Sequence, residues 1–161
     1  MKVLTILFLL LFLGTGCSTK NGLFAPDVMQ EQALSVTRKA EIYNSLEIKA
    51  SLVATYLNPL DKAYASDKRV HFLVSVFIDD DYSERNKQGL FNPDYSLTLN
   101  GQKPISIKPL KRDDDLLKIA PVKSIWAHYY LVTFPKPKAD TMKMLFKSRR
   151  YGSSVLTLPV D

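Results

Sequence analysis

Two runs of carboxylates, Asp79-Asp80-Asp81 and Asp113-Asp114-Asp115, form the densest grouping of any ligand type in the chain. Carboxylate oxygens suit calcium, which takes roughly six to eight of them, so Asp79, Asp81, Asp113 and Asp115 are candidate calcium ligands if their loops converge. Neither run has the alternating spacing and central glycine of a helix–loop–helix calcium site. The competing use of such residues is to end strands and hold turns through local hydrogen bonds. The two histidines, His71 and His128, share no metal-ligand spacing with the cysteine or a carboxylate, whereas zinc needs about three or four ligands. There is no G-x-S-x-G nucleophile motif, phosphate-cradling loop or dinucleotide fingerprint. The chemistry-bearing residues therefore favour a non-enzymatic role without a metal or other cofactor.

The remaining reactive group is Cys17, the single cysteine. It follows Lys2, an apolar run from Val3 to Leu13, and Gly14-Thr15-Gly16. A basic start, an apolar stretch too short to span a bilayer and small residues before a cleavage point make a secretory signal. With a cysteine directly after the small residues, Gly14 to Cys17 resembles the lipobox of bacterial lipoproteins. Gly14 stands where that pattern has a large aliphatic residue, with Leu13 one position further out. The resemblance implies that Cys17 is acylated and becomes the mature N-terminus. The alternative is an ordinary signal peptide cut nearby, leaving a free thiol. Exclusion of cysteine from the rest of an exported chain favours acylation. Ser18 is not the aspartate that retains such lipoproteins at the inner membrane, which points to the outer membrane, facing the periplasm. The whole chain is similar to small envelope lipoproteins of Gram-negative bacteria.

Beyond the signal, charge is uneven. Residues 17–100 carry nine basic and eleven acidic side chains, and residues 101–161 carry twelve and five. A basic C-terminal half suits an acidic partner, lipid phosphates or an anionic envelope polymer, though a solvated surface would look the same. Lys143, Lys147, Arg149 and Arg150 are its densest part and the candidate partner surface. An exported chain without a recognisable reading motif is not a nucleic-acid binder.

The elements that must position these groups read as strands. Residues 18–32 hold Gly22 and Pro26 without sustained periodicity, with a helical turn expected near Val28 to Ala33, so residues 1–16 are the signal, 17–33 a lipidated tether and 34–161 the domain. Leu34 to Ile42 and Leu46 to Tyr56 form a hairpin through Tyr43-Asn44-Ser45, the second strand placing Leu46, Ile48, Ala50, Leu52, Ala54 and Tyr56 on one face. Asn58-Pro59 stops it. Val70 to Ile78 is apolar on both faces and predicts a central strand covered on each side. Tyr95 to Leu99 and Ile105 to Leu110 flank Asn100-Gly101, a hairpin turn whose residues tolerate positive φ. Ile125 to Phe134 is a further strand, with Trp126 a central core residue. Met142 to Phe146 and Val155 to Val160 pair around Arg149-Arg150-Tyr151-Gly152. Seven or eight short strands with turns between them predict an all-β antiparallel sandwich, immunoglobulin-like, with a small barrel as the alternative. The expected function is a membrane-anchored envelope protein that binds or scaffolds another envelope component. The alternative is a calcium- or ligand-dependent binding or hydrolytic domain built on the aspartate loops.

Overall fold

A computed structural model describes residues 28–66 and 68–159. Cys17 and the segment on which the lipidation expectation rests lie outside them. The chain starts with helix α1 (Val28–Ser35), then strands β1 (Thr37–Asn44), β2 (Glu47–Tyr56), β3 (Arg69–Ile78), β4 (Tyr95–Leu99), β5 (Ser106–Pro109), β6 (His128–Pro135), β7 (Thr141–Ser148) and β8 (Gly152–Pro159). They form two antiparallel sheets, one ordered β1-β2-β3-β6-β5 and the other β4-β7-β8. Setting β1 aside, the orders 2-3-6-5 and 4-7-8 reproduce the A-B-E-D and C-F-G sheets of an immunoglobulin constant-type sandwich. The extra strand β1 extends the edge of the larger sheet.

Period-two alternation builds the core. Phe72, Val74 and Val76 on β3, Val132 and Phe134 on β6, and Leu52 and Ala54 on β2 face Met142, Met144 and Phe146 on β7 and Leu156 and Leu158 on β8; all are buried in one cluster. In antibody domains a disulfide joins the strands equivalent to β3 and β7; here apolar side chains fill that space. Full burial of a side chain of this size contributes about 1.5–3 kcal/mol. Phe72 meets Phe134 edge-on at 6.1 Å, and Tyr95 stacks on Phe146 at 5.4 Å, so aromatic contacts tie together each of the two sheets. β3 is central, between β2 and β6, and its two apolar faces have separate uses. Its outward Leu73 joins a second cluster with Leu57, Leu117, Ala120 and Tyr129, formed where the β5–β6 connection folds back over the large sheet.

Four sequence expectations change. Leu34 belongs to α1, whose Ala33 is fully buried, so the folded part begins ahead of residue 34. Leu46 is 97% exposed in the β1–β2 turn, and the pairing register shifts between Ile42 and Tyr43, which leaves Leu46 and Ile48 beyond the core. The Asn100-Gly101 turn forms, with φ of 46° and 80° and a Leu99–Gln102 bridge, but it does not join a hairpin. Pro104 has no N–H to extend the pairing, and the Ile105 N–H instead donates to Thr133 O at 2.8 Å. β5 thereby joins β6 in the opposite sheet from β4. The fourth change is at Ile125 and Trp126, which precede β6 rather than starting it.

Candidate functional site

β3 runs out at Ile78 into the first aspartate triplet, and each carboxylate has a separate structural use. Asp79 pairs with Lys49 at 2.9 Å, and Lys49 also holds Glu47 at 2.8 Å. Asp80 accepts the Tyr151 hydroxyl at 3.0 Å, tying the β3–β4 loop to the β7–β8 turn. Asp81 organises the loop itself. Its Oδ2 accepts the Gly89 N–H at 2.6 Å, and its Oδ1 accepts from the Tyr82 N–H and Asn92 Nδ2, both at 2.9 Å. His128 Nε2 lies 3.9 Å from the same carboxylate. An aspartate in a turn has this capacity because its short side chain reaches backbone donors one to several residues away.

These contacts frame a hollow of about 260 Å³ at the loop end of the sandwich, lined by Tyr82, Asp94, Tyr95, Arg150 and Tyr151 among others. The Arg149 N–H donates to Asp94 O at 2.8 Å, and the guanidinium groups of Arg149 and Arg150 stand 3.7 and 3.8 Å from the Asp94 carboxylate. Two of the four predicted basic contacts are thus already opposed by an acid. Burial pushes the Tyr95 and Tyr130 hydroxyls above the ordinary phenol range, so both stay protonated. The hollow offers carboxylates, hydroxyls and a guanidinium as hydrogen-bonding groups.

The other two predicted contacts are placed differently. Along β7, Met142, Met144, Phe146 and Ser148 point inward, while Lys143 and Lys147 are exposed with the half-buried Leu145 between them. Register puts Ser96 and Ser153 on either side of Lys147, Thr98 and Val155 on either side of Leu145, and Thr157 beside Lys143. The outward face of the three-stranded sheet is therefore lysine and hydroxyl around a small apolar strip, and none of its strand residues is a carboxylate. At about 3.3 Å per residue, the two lysines stand roughly 13 Å apart along the strand.

The second aspartate triplet does not converge on the first. Asp114 caps the 3-10 turn Asp115–Ile119, accepting from the Leu116 N–H at 3.0 Å, and Asp115 pairs with Lys118. Asp114 acts electrostatically on Tyr64, whose ring lies 5.6 Å from that of His71 near the start of β3, whereas Asp79–Asp81 follow its end. Roughly 25 Å of strand separates the two positions. Among the described residues no group of three or more metal-ligating side chains converges. His71 hydrogen-bonds through Nδ1 with Thr133 Oγ1 at 3.1 Å.

Trp126 corrects the sequence reading most sharply: it is 73% exposed, not in the core. Its phase matches Tyr130, Val132 and Phe134, so alternation alone puts it inside. The chain leaves the sheet before it does so. Trp126 N–H donates to Ser124 Oγ at 3.2 Å, Ser124 N–H to Tyr129 Oη at 2.7 Å, and Tyr129 Oη–H to Ser124 O at 3.1 Å. Ser124, a turn-forming residue, was the local signal that the strand starts later. With Ile125 at 66% and Val122 at 56% exposure, Trp126 makes an apolar ridge that the sequence reading missed.

Among the described residues no helix is long and apolar enough to cross a membrane. Comparisons with protein-family models, curated proteins and solved structures return no match.

Proposed function

We propose that the protein is a lipid-anchored envelope protein, held through Cys17, whose sandwich domain binds a negatively charged envelope component without catalysing a reaction. The observation that carries the binding role is the outward face of β4, β7 and β8, where Lys143 and Lys147 stand among Ser96, Thr98, Ser153 and Thr157 with no carboxylate on the strands. Ammonium and hydroxyl groups donate to carboxylate or phosphate oxygens, and a flat sheet face accepts an extended acidic protein segment or polymer. Arg149 and Arg150 extend the face at the loop end, where Asp94 moderates their charge. Acylation confines the domain to the membrane surface, which raises effective concentration and lets weak contacts suffice. The resemblance of Gly14 to Cys17 to a lipobox supports the anchor, and the serine at position 18 supports the outer membrane, facing the periplasm.

A photo-crosslinker at exposed Val155 tests the binding role. In intact envelopes it should capture an acidic protein or polymer, and Lys143→Glu with Lys147→Glu should abolish that capture while leaving the thermal midpoint unchanged. Capture that survives the double charge reversal would dispose of the lysine face. Cys17→Ser should remove lipid labelling and release the domain from membranes. A second reading, a ligand-dependent domain, is favoured by the loop-end hollow between Asp94 and Tyr151. Calcium at millimolar concentration should then raise the melting temperature, and an unchanged midpoint excludes the calcium form.

A further inference from the structure

We infer that the ridge of Val122, Ile125 and Trp126 is a membrane foot, inserted into the headgroup region of a phospholipid bilayer so that the large sheet's outer face lies toward the lipid. The inference rests on the Cys17 anchor proposed above, and three observations carry it.

The first is composition and exposure. Three large apolar side chains within five residues stand 56–73% exposed on a loop of a folded domain. Clustered exposed apolar surface marks an interaction site rather than ordinary surface variation. Tryptophan, with an apolar ring and one polar N–H, favours the boundary between water and acyl chains.

The second is charge and rigidity. Arg112 and Lys123 line the hollow beside Ile125, and the Arg112 guanidinium donates to Ile125 O. Cations bordering apolar side chains match anionic headgroups above acyl chains. The acids of this connection, Asp113, Asp114 and Asp115, directly follow Arg112, and two of them are engaged locally, Asp114 capping the 3-10 turn and Asp115 holding Lys118. The Ser124–Tyr129 hydrogen bonds hold the ridge out before any partner arrives, which lowers the ordering cost of insertion.

The third is where the chain enters the domain. α1 packs against the 3-10 turn Asp115–Ile119, an element of the same β5–β6 connection that carries the ridge. Ten residues lie between Cys17 and Val28, and their eleven steps of about 3.5 Å reach no further than roughly 40 Å. The chain thus enters the domain on the side that carries the ridge, with α1 within roughly 40 Å of the anchor. Val28, Met29 and Leu34 add exposed apolar surface on α1. The lysine face belongs to the other sheet and points away from the lipid, toward the partner proposed above.

Trp126 is the only tryptophan, so tryptophan emission, excited selectively over the eight tyrosines, reads the ridge alone. The acylated full chain is reconstituted into phosphatidylethanolamine vesicles with and without phosphatidylglycerol, and flotation is scored beside emission. The foot predicts emission shifted to shorter wavelength, quenching by lipids brominated high on the acyl chain, loss of access to aqueous iodide, and a stronger effect with phosphatidylglycerol. Ile125→Ser, an exposed change that leaves the fold intact, should weaken the lipid quenching several-fold. Flotation with an unshifted, iodide-accessible Trp126 overturns the foot and leaves the anchor standing. Failure of the acylated chain to float overturns the anchor and the inference built on it. A shift that appears without lipid as protein concentration rises assigns the ridge to a second copy, and one that needs added envelope protein assigns it to a protein partner; either overturns the lipid assignment.

Discussion

Gly89→Ala should destabilise the domain by about 3 kcal/mol, and Tyr130→Phe should recover part of that loss. Gly89 is buried in the β3–β4 loop with φ of +58°, and its N–H is fixed by Asp81. A side chain in the left-handed region costs about 1–2 kcal/mol, of which roughly 0.5 kcal/mol returns because alanine restricts the unfolded chain. The larger cost is contact. A Cβ at this position would stand 2.2 Å from the Tyr130 hydroxyl and 3.2 Å from the His128 Cβ. Tyr130 is only 3% exposed within the core, so its ring has nowhere to swing, and overpacking of this kind costs about 1–3 kcal/mol. A total near 3 kcal/mol lowers the melting temperature by about 10 °C, at roughly 3–4 °C per kcal/mol for a domain of this size. Tyr130→Phe alone loses the bond donated to Gln88 O at 3.2 Å and the one accepted from the Leu90 N–H at 3.3 Å, about 1 kcal/mol net. The double mutant keeps a ring carbon 3.1 Å from the new Cβ, a contact that a shift of a few tenths of an ångström relieves. Urea unfolding of all four proteins should show the double mutant about 1–2 kcal/mol better than the sum of the singles. A Gly89→Ala protein as stable as the parent, or losses that simply add, would refute the reasoning.

Three further outcomes follow from burial. Trp126→Ala should shift stability by no more than about 0.5 kcal/mol, because the ring is largely in water; a loss of several kcal/mol would mean that the ring packs in the core. Met144→Ala, at a fully buried position between β4 and β8, should cost about 2–5 kcal/mol in denaturant unfolding, and a neutral result would contradict the packing of the two sheets. His71 is held below the ordinary 6.5 by burial and secondarily by Arg69, so the native state prefers the neutral ring. Its stabilising contribution is therefore complete above the unfolded value and is lost as pH falls through the lower native value. NMR titration should place its midpoint below 6.5, and His71→Gln should flatten the loss of stability on acidification; a midpoint above 6.5 would reverse the sign and the argument.

Much of this architecture is legible in the residues because a two-sheet sandwich imposes a period of two. The alternation of Met142, Met144 and Phe146 with Lys143, Leu145 and Lys147 predicts one buried and one exposed face of β7, and both are present. The doubly apolar Val70 to Ile78 predicts a central, covered strand, and β3 is one. Alternation fails where the chain leaves the sheet, since side-chain phase has meaning only while the backbone stays extended. Trp126 is in phase with β6 but lies in a turn held by Ser124, and Leu46 is in phase with β2 but lies beyond the register shift. The aspartate loops show a related limit. Asp79, Asp81, Asp113 and Asp115 are alike in sequence, but their surroundings depend on which strand end each follows.

Local chemistry alone determined most of the strands and their inward residues, the Asn100-Gly101 turn and the exposed lysines of β7. These depend on bond rotation, hydropathy and short-range spacing, all carried by neighbouring residues. Tertiary structure decided that β4 and β5 separate into different sheets, that Asp81 holds a loop while Asp114 caps a turn some 25 Å away along the sheet, and that the single tryptophan faces water. Each of those outcomes is set by contacts between residues distant in the chain, such as Ile105 with Thr133 and Gly89 with Tyr130, and no local pattern encodes a long-range pairing.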